Sequence, residues 1–134
     1  MRNVIALLAC VFAIVLSVAA YAQYAGWDIP ASGKEQKSPL KPSADVVKKG
    51  RGVFTSKCQK CHGPQAKGDG PDSDPKSPAA DLTDEFRYDL NPEGVVYYKV
   101  LNGHPPQMPA FKSQLAPDEV WQVVAYVMSL RKPQ

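Results

Sequence analysis

"KCQKCH", residues 57–62, decides how the chain is read. Cys58 and Cys61 stand three apart, and His62 follows directly. That spacing serves three chemistries: a zinc knuckle, a redox-active dithiol, or a point where haem is joined to the polypeptide. Each asks for different surroundings, and the flanking sequence can be tested for them.

A structural zinc site takes four ligands, commonly as two pairs. The only other histidine is His104, and there is no second cysteine pair. A thioredoxin-like dithiol belongs at a strand–helix junction in an α/β pattern. No stretch of this chain reads as a strand. Haem attachment asks for little more than what is present. The two thiols add to the haem vinyl groups, and the adjacent imidazole is then held under the iron.

A six-coordinate haem needs a donor on its other face, and a methionine there raises the reduction potential. The chain has three methionines. Met1 lies in the leader, and Met128 sits at helical spacing where core packing is the ordinary role. Met108 lies in "HPPQMPAF", residues 104–111, flanked by Pro105, Pro106 and Pro109. Prolines fix φ, so such a loop loses less entropy when it presents a thioether. Met108 is the expected second ligand opposite His62. His104, in the same loop, is the competitor, since imidazole also binds iron well.

The N-terminus opens "MRNVIALLACVFAIVLSVAAYA", one basic residue followed by an uncharged run. Residues 1–22 read either as a signal peptide cut after Ala20-Tyr21-Ala22 or as an uncleaved membrane anchor. Tyr21, Tyr24 and Trp27 stand where an interfacial aromatic belt would lie. A lipoprotein reading of Cys10 is weakened by the apolar run continuing past it. All these readings place the rest of the chain outside the cytoplasm, in the periplasm, soluble or tethered to the membrane. Free dithiols do not persist well in such an oxidising compartment.

Residues 28–44 carry three prolines, three serines and three lysines, and read as a tether or as an arm lying on the domain surface. Folded structure is expected from about Asp45 to Lys132. That is one small domain, short of apolar core, which gains from a large buried group. Sixteen Lys and Arg, one of them Arg2, against thirteen Asp and Glu leave +2 on the exported part. No nucleic-acid partner is called for. The balance hides an asymmetry. Lys48, Lys49, Arg51, Lys57, Lys60 and Lys67 lie in a stretch without acids, and residues 69–93 hold eight acidic residues against two basic. The basic run brackets the haem motif and fits an acidic redox partner, or else is a solvated face.

The expected elements are helical. Ser43 caps a helix that runs into the cysteine motif. Gly63–Ala80 is loop, with four prolines and three glycines. A short helical piece falls near Leu82–Tyr88. Asn91 caps a helix that starts at Pro92 and ends before Gly103. The last helix follows Ala116, a poor cap, with Val120, Val123, Val124 and Val127 on one face.

These features resemble the monohaem class I cytochromes c of bacteria over residues 45–132. "GRGVFTSKCQKCHG" is similar to that family's first helix and haem motif, with Gly50 and Phe54 matching the residues that pack on the last helix against Tyr126. "KGDGP" (67–71) resembles the loop whose proline carbonyl accepts the proximal imidazole N–H, which points to Pro71. "PAADLTDEF" and "MPAF" are also similar. The resemblance implies an all-α, loop-rich fold wrapped around one haem c, held covalently through Cys58 and Cys61 and ligated by His62 and Met108. It implies a one-electron carrier rather than an enzyme. The resemblance names no physiological partner; the basic run points to redox partner proteins that are acidic, and the anchor reading to ones that are membrane-embedded. Two rivals stand beside it: a haem-bearing subunit of a larger membrane respiratory or dehydrogenase complex, and a peroxidase or gas-binding haem protein.

Overall fold

The computed structural model describes residues 27–131. The leader, its cleavage or retention, and Cys10 lie outside the described residues. Helices α1 (Ala31–Lys34), α2 (Ala44–Lys57), α3 (Gln59–His62), α4 (Glu93–Asn102) and α5 (Pro117–Ser129) follow in order, with one 3-10 turn at Glu85–Arg87. No strand occurs among the described residues. Two isolated bridges, Asp74 with Ser77 and His104 with Met108, are the only extended pairings there. The all-α expectation holds.

Local chemistry explains the helix ends. Ser43 is extended, and its hydroxyl accepts the Val46 N–H at 3.2 Å, which starts α2 as the sequence predicts. Ala116 has no side chain to cap α5. The Glu119 carboxylate instead accepts the Ala116 N–H at 2.8 Å, one half of a capping box. The start of α4 differs by one residue from expectation. Pro92 is the N-cap and Glu93 the first helical residue. Asn91 is engaged elsewhere: its amide donates to the Arg87 carbonyl at 2.8 Å and its oxygen accepts from Lys99 at 2.7 Å.

The core sits where α2 and α4 pack on α5. Phe54 is 1% exposed, and Val120, Val123 and Val124 are equally buried. Burying each such side chain contributes about 1.5–3 kcal/mol. Phe54 and Tyr126 meet with ring centroids 5.2 Å apart, and Tyr97 stacks on Trp121 at 4.0 Å. Gly50 is what lets α2 approach α5, because a Cβ there would run into the carbonyl oxygen of Gln122. Gly50, Phe54 and Tyr126 thus pack as the resemblance implies. Met128 is part-buried against the same core.

Folded structure begins earlier than Asp45. Ile29 is 5% exposed, and α1 packs on α4. Gly94 gives room for this, since a Cβ on it would lie 2.6 Å from the carbonyl oxygens of Gly33 and Gln36. Residues 27–40 are therefore an arm docked on the domain. Trp27 packs against His104 and Lys99 of the domain.

Candidate functional site: an apolar cleft with two thiols, an imidazole and a thioether

Cys58 ends α2 and begins α3. Its N–H bonds to the Phe54 carbonyl at 2.8 Å, and its own carbonyl accepts from His62 at 2.9 Å. One turn of backbone therefore fixes the two thiols and the imidazole together. The short helix α3 leaves carbonyls that need partners. The following loop supplies them: Gly63 N–H bonds to Gln59, Asp72 to Lys60, Gly70 to Cys61 and Gly68 to His62, at 2.8–3.0 Å. Gly68 has φ +78°, and a Cβ on it would collide with the Ala79 carbonyl. This lacing brings residues 79–82 back beside the histidine.

His62 Nδ1 then lies 3.0 Å from the Ala80 carbonyl oxygen. A carbonyl only accepts, so Nδ1 carries the proton and Nε2 keeps its lone pair. Burial pushes the imidazole below its usual pKa, partly opposed by the Ala80 bond. A neutral ring with a free Nε2 is a ligand. This corrects the expectation for Pro71. Pro71 is exposed and lies between Gly70 and Asp72, whose N–H groups are tied to α3 behind the motif, so its carbonyl is not the His62 acceptor.

Cys58 and Cys61 are not joined to each other. Burial, with a smaller contribution from Cys61, pushes the Cys58 thiol up to about 11. A redox-active dithiol wants a depressed pKa instead. Among the described residues no three His, Cys, Asp or Glu side chains gather as a metal site, so the zinc reading lacks its ligands there as well.

The cleft beside His62 has two compartments of about 200 and 440 Å³. Cys58, His62, Ala80, Met108 and Trp27 border both. The first is walled by Phe54, Leu82, Val96, Val100, Val123 and Val127, and the second is reached by Cys61 and Lys57. The structure thus brings Cys58, Cys61, His62 and Met108 to one cavity and leaves Pro71 out. His104 borders the second compartment, its ring centroid 5.1 Å from that of Trp27 and its Nδ1 3.2 Å from Gln107 Oε1.

Three cations escaped the sequence reading: Arg87, Lys99 and Arg131 border the first compartment. Arg131 donates to the carbonyls of Tyr88 and Asn91, yet its Nε is buried without a partner. Burial lowers Lys99 from 10.5 to about 8, with Arg87 as the second cause. Their positions along the chain carry no shared motif. A flat apolar ring with two carboxylates fits this cleft. Its apolar surface would meet the valines, its vinyl groups the thiols, and its carboxylates would find Lys99 and Arg131, whereas Arg87 is already paired with Asp84 at 3.0 Å.

Fold and cleft together define a small c-type cytochrome. The family described as "Cytochrome C oxidase, cbb3-type, subunit III" matches residues 45–127, and the chain belongs to it. Membership implies haem c bound covalently and a role in electron transfer. Among solved structures, the chain is similar to one titled "Kuenenia stuttgartiensis reducing HAO-like protein complex Kustc0457/Kustc0458". The identity is 28%, the TM-score 0.59, and the match covers 75% of this chain and 54% of that one. The chain therefore spans about half that relative's length. A second, titled "KustC0563 c-type cytochrome", is 22% identical with TM-score 0.51, covering 62% of this chain and 98% of that one. It supports the fold alone. No curated protein matches.

Proposed function

We propose that the protein is an exported one-electron carrier with a single haem c, bound through Cys58 and Cys61 and ligated by His62 and Met108. The observation that carries this reading is that His62 and Met108 border the same apolar cleft as Cys58. Bound there, the haem supplies an iron that cycles between Fe(III) and Fe(II) by gaining and losing one electron. The residues do the rest. Ala80 holds the His62 tautomer, the valine walls exclude water, and the paired backbone of His104 and Met108 presents the thioether. Were His62 and Met108 both to hold the iron, no position on it would be open to a substrate, which argues against peroxidase or gas-binding chemistry.

Export rests on the leader sequence. Among the described residues no helix is long and apolar enough to cross a membrane. One observation favours a second reading, that of a subunit in a larger redox complex: the similar chain from Kuenenia stuttgartiensis belongs to a protein complex.

The test is carbon monoxide addition to the reduced native protein and to Met108→Ala at neutral pH. The native protein should bind it poorly and the variant readily. Ready binding by the native protein would overturn the two-ligand reading.

A further inference from the structure

We propose that Trp27, in the N-terminal arm, is a positioning residue for the thioether ligand: its indole braces His104 and, through it, Met108. The inference rests on the proposed His62/Met108 ligation.

The arm delivers the indole from a fixed base. Ile29, two residues on, is buried, and Gly33 lies against Tyr98, where a Cβ would come within 3.0 Å of the ring. Gly94 gives way to the carbonyls of Gly33 and Gln36. These contacts attach residues 29–36 to α4 without help from Trp27. The indole then reaches the cleft, where it borders both compartments together with Met108. The Lys99 ammonium stands 5.2 Å from its ring centroid, and Lys99 is itself held by Asn91 at 2.7 Å. On the ligand side, the Trp27 and His104 rings are 5.1 Å apart at 43°. His104 and Met108 exchange both backbone hydrogen bonds, at 2.8 and 3.0 Å. The two residues thus move as one rung. A displacement of the His104 ring carries the Met108 backbone with it. The prolines stiffen the loop internally. The Phe111 and Lys112 N–H groups tie its far end to the Val100 and Leu101 carbonyls of α4, at 3.2 and 3.1 Å. Trp27 holds its near end at His104, from a segment about eighty residues away in sequence.

The experiment uses full-length holoprotein and the variants Trp27→Ala, Trp27→Phe, His104→Ala and the double Trp27→Ala/His104→Ala. Two readouts follow the ligand, and far-UV circular dichroism in the same denaturant series follows the fold. One is the near-infrared charge-transfer band of sulfur on ferric iron, followed against denaturant. The other is the rate of carbon monoxide binding to the ferrous form. Trp27→Ala should lose the band at lower denaturant and bind carbon monoxide about two- to tenfold faster, as expected for loss of one aromatic contact. Trp27→Phe should restore most of the difference. His104→Ala should reproduce it, and the double variant should be no worse than either single. Unchanged ligand readouts in Trp27→Ala and His104→Ala, or fully additive losses in the double, would overturn the brace. If Trp27→Ala yields no holoprotein, His104→Ala and Trp27→Phe decide on the same criteria. Absence of the band from the native protein would remove the His62/Met108 reading itself. That result is distinct from a brace that fails while the band is present.

Discussion

His62 Nδ1 stands 3.0 Å from the carbonyl oxygen of Ala80, and this bond determines which imidazole nitrogen faces the cleft. The backbone lacing of the loop onto α3 creates it, so the chain's own hydrogen bonds orient the imidazole. We predict that His62→Ala accumulates far less holoprotein, with residual haem in a high-spin spectrum. Added imidazole should restore a low-spin spectrum by entering the space left. A low-spin spectrum in the variant without imidazole would mean that His62 is not a ligand.

Two glycines of α2 give opposite predictions from the same substitution. At Gly50 a Cβ would collide with the Gln122 carbonyl of α5, whereas at Gly52 nothing lies within 4 Å. Gly50→Ala should destabilise the holoprotein by about 1–3 kcal/mol through forced separation of the helices. Gly52→Ala should stabilise by about 0.5–1 kcal/mol, the ordinary helix preference for Ala. Thermal unfolding of both variants checks the pair. Equal effects would mean that α2 and α5 do not cross at Gly50.

Much of this site is legible in the sequence. Cys58, Cys61 and His62 announce themselves by spacing, Met108 by its prolines, and Gly50, Phe54 and Tyr126 by their places in two helices. What is not legible has a common cause. The acceptor of the His62 proton is a backbone carbonyl, which every residue possesses, so residue type could not separate Ala80 from Pro71. The polar composition of residues 28–44 does not separate a tether from an arm lying on the domain surface. Its docking depends on Ile29 and Trp27 finding partners on α4 and in the loop of residues 104–111. Arg87, Lys99 and Arg131 converge only after the chain has folded.

Lys99 should make the reduction potential depend on pH. Burial and Arg87 bring it down to about 8, while Asn91 and the Trp27 ring hold its ammonium beside the cleft. A positive charge near the iron favours the reduced state. As pH rises through about 8 that charge is lost, and the potential should fall. A haem carboxylate beside Lys99 would favour the ammonium and move the fall to higher pH. Lys99→Met should have a lower potential at pH 7 and no fall in that range. Redox titrations from pH 6 to 10 check it, and identical curves for the two proteins would remove Lys99 from the electrostatics of the site.

Lys57 borders the cleft, and both Lys57 and Lys60 are exposed beside the cysteines. We predict that electron exchange with an acidic partner slows as ionic strength rises, because exposed charges are screened over about 10 Å at 0.1 M salt. Lys57→Glu and Lys60→Glu should each slow it at low salt and flatten the salt dependence. Stopped-flow rates would show this. A rate independent of salt would mean that the basic run does not steer that partner.

The most direct measurement is the intact mass of the native protein after denaturation in acid and organic solvent, repeated for Cys58→Ala and Cys61→Ala. The native chain should carry the mass of one haem that the solvent cannot extract, and each variant should hold its haem by one thioether or fail to accumulate. A native polypeptide that emerges without haem would contradict covalent attachment at Cys58 and Cys61, and a mass corresponding to two haems would contradict the single-centre carrier.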